Sequence, residues 1–363
     1  MKEDKKGMNI AWAYSLNTVQ FIDDEIYGAT VLGGNILKTE IGGTSKIVWE
    51  NDYADPHKSG IFLSSLLYCG KLYLFPYMSE YIVIYDINMQ TVEKIRFGDK
   101  GREEKIYPRL FENKILMFGL DTGRVWELGT SIAQVGDVNS DVRKMFKYRS
   151  YSEGRYMLFY GIEKKLASVF DCKEPGWINI DTPDFIKGGF ADDNLLWYAA
   201  GDKFYCQNID SKSRNEIISI SEGTSAVSVV PIDDKRLLVV EYEGNGIYLI
   251  DKETKKTEKT KIDFFTEKNH HVAMELGGDR LLYADCESLD WMLWSGDSYA
   301  ICNTLDMSVT DIPIFNMDSK DGRMINERYA RIAWKLAPNK TIYESEKEGL
   351  DFFLKSISLG VFD

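Results

Sequence analysis

Three histidines, His57, His270 and His271, are the only imidazoles in 363 residues. Imidazole is the side chain best suited to move a proton or hold a metal near neutral pH. His270 and His271 are adjacent, so on a strand they point to opposite faces and cannot both ligate one ion. His57 lies in the polar stretch ADPHKSG. Asp137, Asn139 and Asp141 open like a calcium loop, but Val142 stands where that loop needs glycine and Tyr148 where it needs glutamate. Two carboxylate pairs, Asp192-Asp193 and Asp233-Asp234, could do acid–base work. Both fall between two apolar runs, where aspartate is favoured for its turn hydrogen bonds. Nucleotide-binding glycine loops, the G-x-S-x-G elbow and the H-E-x-x-H zinc motif do not occur. The expectation is no catalytic residue, no metal site and no cofactor.

What remains is a set of cationic and aromatic residues at recurring places, and the recurrence reveals the elements that position them. Residues 227–262 read as an apolar run, an Asp-Asp turn, a second run, a Gly turn, a third run and a polar fourth. Each run is the length of a strand bounded by turn residues. The cadence repeats, with second runs opening near Glu25, Lys71, Lys114, Arg155, Asn194, Arg236 and Arg280, about 39 to 46 residues apart. A four-stranded propeller blade needs about 40–50 residues. Many runs are continuously apolar, as burial on both faces demands. The sequence therefore predicts an all-β fold: one seven-bladed β-propeller of four-stranded antiparallel blades, with six or eight blades as alternatives. The blades fall at about 18–50, 61–97, 106–138, 147–183, 187–221, 226–264 and 270–314. Residues 315–363 are left as a tail, where Ser345 and Glu348 form a capping box before an apolar stripe and predict a short helix from Glu346 to Ser358. Met8–Leu16 is a candidate ring-closing strand.

Composition sets the class of partner. The formal charge of −13 repels phosphate backbones, so nucleic acid is not expected. The five cysteines are odd in number and lack a C-x-x-C pattern, which argues against a disulfide framework. No apolar run reaches membrane-spanning length, and too few residues separate Lys6 from the Ala11/Ala13 pair for a signal core. A cytoplasmic monomer that meets neither membrane nor nucleic acid is the expectation.

The segment GKLYLFPYMSEYIVIYDINMQTVEKI resembles a Kelch-type blade: a Gly-Lys turn, then a strand ending Tyr85-Asp86 before a turn closed by Thr91. Leu249-Ile250-Asp251 and Thr254 partly repeat it, while most blades lack the family's paired glycine. The resemblance implies architecture. Function then belongs to the loops that lead into each first strand and join the second to the third, because these differ from blade to blade. They are basic and aromatic in an acidic chain. His57, Tyr77, Tyr107, Arg109, Tyr148, Arg149, Lys187, His270 and Trp291 are the candidate ligand-binding residues. Rings beside cations suit stacking on sugars or gripping an anionic group. The first expectation is a non-catalytic binding propeller for a protein or anionic carbohydrate-like ligand. The alternatives are a saccharide hydrolase or lyase using Asp290 or Glu80 as acid, and a structural subunit of a complex.

Overall fold

The computed structural model describes residues 18–260 apart from several loops, and the strands between 270 and 312. Residues 1–17, 52–60, 98–104, 140–150, 261–269, 287–298 and 313–363 are the longer stretches outside it. The predicted closing strand and C-terminal helix lie outside the described residues.

Twenty-eight strands form seven sheets. The first holds β1 (Gln20–Ile22), β2 (Glu25–Ala29), β3 (Ile36–Glu40) and β4 (Ser45–Trp49). The second holds β5 (Phe62–Tyr68), β6 (Lys71–Pro76), β7 (Tyr81–Asp86) and β8 (Thr91–Arg96). The third holds β9 (Ile106–Phe111), β10 (Lys114–Gly119), β11 (Val125–Leu128) and β12 (Ile132–Gly136). The fourth region runs β13 (Tyr151–Ser152), β14 (Tyr156–Tyr160), β15 (Leu166–Asp171) and β16 (Gly176–Asp181). The fifth holds β17 (Ile186–Asp192), β18 (Leu195–Ala200), β19 (Lys203–Asn208) and β20 (Arg214–Ser219). The sixth holds β21 (Val227–Pro231), β22 (Arg236–Glu241), β23 (Ile247–Asp251) and β24 (Thr257–Thr260). The seventh holds β25 (His270–Gly277), β26 (Arg280–Cys286), β27 (Tyr299–Asn303) and β28 (Val309–Ile312).

Within every sheet the hairpin-linked strands form an antiparallel meander, so hairpin turns set their register. First strands lie against first strands: β1 on β5, β5 on β9, β17 on β21, β21 on β25, and β25 back on β1. The first strands thus line the axis, the fourth strands form the rim, and the ring closes by packing of the first sheet on the seventh. We call the end where first strands begin the mouth, and the opposite end the base.

The continuous apolar runs are explained by packing. Along β18, Leu196, Tyr198 and Ala200 enter the layer shared with the fourth sheet, while Trp197 and Ala199 enter the layer shared with the sixth. Period-two alternation sends both sets inward, and each buried Leu, Ile or Phe contributes about 2 kcal/mol. Aromatic residues fill the layer between the third and fourth sheets. There Phe118 lies 5.1 Å from Phe159 and 5.3 Å from Phe170, and Trp177 packs edge-on to both at 5.3 and 5.0 Å.

One sheet departs from the expected four strands. The fourth has three, and β13 pairs instead in parallel with β17, Tyr151 opposite Phe190 and Ser152 opposite Ala191. β17 itself carries Gly188 and Gly189 side by side. A Cβ on Gly188 would land on the Val227 carbonyl of β21, so the backbones can approach only because none is there.

Candidate functional site

The base is built from a repeated local device. Asp86, Asp171, Asn208 and Asp251 end the third strands of four sheets. Their side-chain oxygens accept backbone N–H groups from the following turn: Met89 at 2.9 Å, Lys173 at 2.9 Å, Ser211 at 2.7 Å and Thr254 at 2.6 Å. Four residues later Gln90, Lys212 and Lys255 adopt positive φ of 54°, 58° and 61°, which closes the hairpin. Turn hydrogen bonding thus accounts for the Asp or Asn that ends these strands, Tyr85-Asp86 and Ile250-Asp251 among them. Asp233 plays a similar part between first and second strands, accepting from Lys235 N and Arg236 N at 2.8 and 2.7 Å.

At the mouth one backbone tie recurs in three blades, with Phe97 N, Thr182 N and Ile220 N donating to the Glu80, Lys165 and Asp202 carbonyls at 2.7, 3.1 and 2.9 Å, while the side-chain fastenings differ. Asn51 N donates to Asn35 Oδ1 at 3.0 Å, tying the link that leaves the first sheet to that sheet's own second-to-third loop. Asn139 N donates to the Gly123 carbonyl at 3.1 Å. The most elaborate fastening is Glu241, fully buried at the end of β22. Its carboxylate accepts from Ser221 N (2.8 Å), Ser221 Oγ (2.5 Å), Gly246 N (3.1 Å) and the Tyr248 hydroxyl (3.3 Å). Four donors are what a buried charge requires. Burial, reinforced by Glu241, pushes the Tyr248 hydroxyl up to about 12.

Among the residues singled out from sequence, Lys187 is at the mouth. It sits in β17 where the register slips between Ile186 and Gly188, so a bulge sets it outside the ladder, half-buried. Beside it the link Thr182-Pro183-Asp184-Phe185 is locked by Thr182 Oγ1 donating to the Asp184 carbonyl at 2.8 Å and Phe185 N donating to Asp184 Oδ1 at 3.0 Å. That turn presents Phe185 with 40% of its surface exposed. Lys165 Nζ, from the loop between β14 and β15, stands 5.5 Å above the Phe185 ring and 3.1 Å from Asp184 Oδ1. The hydrogen bond from Lys165, with the Phe185 N–H and the charge of Lys187, holds the Asp184 carboxyl below its ordinary value. Sequence reasoning singled out Lys187 but missed Phe185 and Lys165. The Thr-Pro-Asp turn ahead of Phe185 was the available signal.

Tyr107 is the second residue of β9, near the mouth, and Arg109 lies further along that strand toward the base. The Tyr107 ring packs in the apolar layer between the third and fourth sheets. Arg109 is buried at 8% exposure, and its Nη2 donates to the Gly154 carbonyl at 2.6 Å, at the base of the next blade. Burial pushes the neighbouring Cys172 thiol up to about 11, with Arg109 pulling the other way. His270 is the first residue of β25. His57, Tyr77, Tyr148, Arg149 and Trp291, and the alternative acid Asp290, lie outside the described residues. The other alternative acid, Glu80, is exposed and paired with Arg96 at 3.3 Å. No group of three metal-ligating side chains occurs among the described residues.

The ring of four-stranded meanders defines the chain as a β-propeller, and comparison with solved structures agrees. Virginiamycin B lyase from Staphylococcus aureus aligns with a TM-score of 0.56 at 12% identity, over 76% of this chain and 93% of that one. YCF48 bound to a D1 peptide aligns at 0.56 and 12% identity, over 75% and 89%. Kluyveromyces lactis Hsv2 aligns at 0.50 and 8% identity, over 82% and 97%. At these identities the likeness is one of fold. No protein-family model matches the sequence, and no curated protein matches it.

Proposed function

We propose that this propeller is a non-catalytic binding module. It holds an anionic ligand, an acidic protein segment or a carbohydrate-like acid, at the mouth between the fourth and fifth sheets. The observation that carries this reading is the ledge of Phe185, Lys165 and Lys187: an exposed ring with a cation above it and a second cation beside it. A ring of this kind stacks on a flat or apolar group, while ammonium groups pair with carboxylate or sulfate. The solved structures of like fold include one with a bound peptide and a lyase, so the fold itself is compatible with binding and with catalysis. The hydrolase or lyase reading draws less support from the described residues. Glu80 is engaged with Arg96, and Tyr107 and Arg109 serve the packing of two sheets.

A thermal-shift screen of acidic peptides, sulfated and uronic-acid oligosaccharides and organic acids tests the reading. At least one anionic class is expected to raise the melting temperature, and Lys165→Ala/Phe185→Ala/Lys187→Ala is expected to abolish the rise. No stabilising anion, or a rise unchanged in the triple variant, would overturn it.

A further inference from the structure

The rim of a propeller is a set of sheet edges, each with a row of outward N–H and C=O groups that invites another strand. Six of the seven rims here are blunted. β4, β12 and β20 carry bulges at Val48, Val135 and Ile217. β8 carries Glu93, Lys94 and Arg96. β24 and β28 are four residues long, and β24 carries Glu258 and Lys259.

β16 has neither a bulge nor a short ladder, and its one charge, Asp181, is its last residue. It is six residues long, its register with β15 is unbroken, and Gly176-Trp177-Ile178-Asn179-Ile180 carries no charge. No described strand pairs with its outer side. Thr182 N donates to the Lys165 carbonyl, which fixes the phase of the β15–β16 ladder. Antiparallel alternation then turns the backbone groups of Trp177, Asn179 and Asp181 outward. These three positions are symmetric about Asn179.

We infer that β16 pairs antiparallel with β16 of a second copy, making a two-fold dimer with Asn179 on the axis. In that register Asn179 faces Asn179, Trp177 faces Asp181, and Ile178 faces Ile180. The β-branched pairs are favourable and no like charges meet. A single strand pair buries less than the roughly 1,200 Å² of a standard stable interface, so the dimer is weak and concentration-dependent. It departs from the monomer that composition suggested, and it leaves the mouth open.

The test is sedimentation of the full chain from about 1 to 300 μM at low and at high salt. Dimer is expected to grow with concentration and with salt, because two chains of charge −13 repel each other. Asn179→Ala loses the 2.7 Å hydrogen bond from Ser168 Oγ but keeps every outward backbone group, so it is expected to dimerise. Asn179→Lys and Asn179→Glu, each alone, put like charges on the axis and are expected to be monomers; mixed together they are expected to recover dimer. A wild-type monomer throughout the range, or a dimer that persists in Asn179→Lys alone, would overturn the proposal. So would a mixture of the two charged variants that stays monomeric.

Discussion

The base and the mouth of the ring are built on different logics. At the base, one hairpin chemistry recurs: an Asp or Asn accepts backbone N–H groups and a residue in the left-handed region closes the turn. At the mouth the repeated tie is one of backbone alone, and among the described residues no side-chain fastening repeats. Asn35 serves the first sheet, the Gly123 carbonyl the third, Thr182 and Asp184 the fourth-to-fifth link, and Glu241 the sixth. Repetition suits a scaffold, since each blade must turn and stack in the same way. Individuality suits recognition, since a ligand on the axis meets a different surface at every blade.

Substitutions at the mouth should therefore cost more than those at the base. Gly188→Val is expected to be the most severe, at about 3 kcal/mol or more in urea unfolding, because the new side chain collides with the Val227 backbone that nothing can move aside. Glu241→Ala should follow at about 3 kcal/mol, since it orphans Ser221 and Gly246 amides in a buried site. At the base, Asp251→Ala should cost only about 1 kcal/mol, the value of a local turn cap. The smallest effect has the opposite sign. Lys212→Gly should stabilise by about 0.5 kcal/mol by relieving a positive φ. Lys255→Gly should gain less, because Lys255 also stands 4.0 Å above the Trp197 ring. Equal costs for Glu241→Ala and Asp251→Ala would erase the distinction between the two ends.

Acid sharpens the same comparison. Burial alone would raise the Asp171 carboxyl, but the Arg155 guanidinium and the Glu174 and Lys173 amides outweigh it and hold it below the usual aspartate value. Asp233 behaves alike, with Arg236 and the Lys235 and Arg236 amides overcoming burial. The unfolded chain then binds more protons than the folded one as pH drops below about 4–5. Stability contributed by these groups is present above the unfolded pKa and is lost as pH falls through the depressed folded values. Asp171→Asn should lower stability at neutral pH and flatten the acid limb of the stability–pH curve.

The base was legible in the sequence because its chemistry is local. Second strands begin at Glu25, Lys71, Lys114, Tyr156, Leu195, Arg236 and Arg280, each within one residue of the openings marked by turn residues. Seven sheets follow from that spacing. The mouth was much less legible, because its ties span long stretches of chain. The base has one such case in Arg109, whose side chain suits ligand binding but donates to the Gly154 carbonyl 45 residues on. Burial and a neighbouring backbone decide its place, and neither is visible at its own position. Glu241 looks like an ordinary strand-end carboxylate until Ser221 is brought to it from the preceding link. The pairing of β13 with β17 was hidden for the same reason, since it joins Tyr151 and Ser152 to Phe190 and Ala191 of the next blade.

The most direct test of the account is lysine footprinting with an amine-acylating reagent, in the presence and absence of a stabilising anion. Lys165 and Lys187 lie at the mouth, while Lys114, Lys212 and Lys235 lie at the base. The account predicts protection of Lys165 and Lys187 with unchanged labelling of the other three. Protection of the base lysines, with Lys165 and Lys187 labelled as in the free protein, would contradict it.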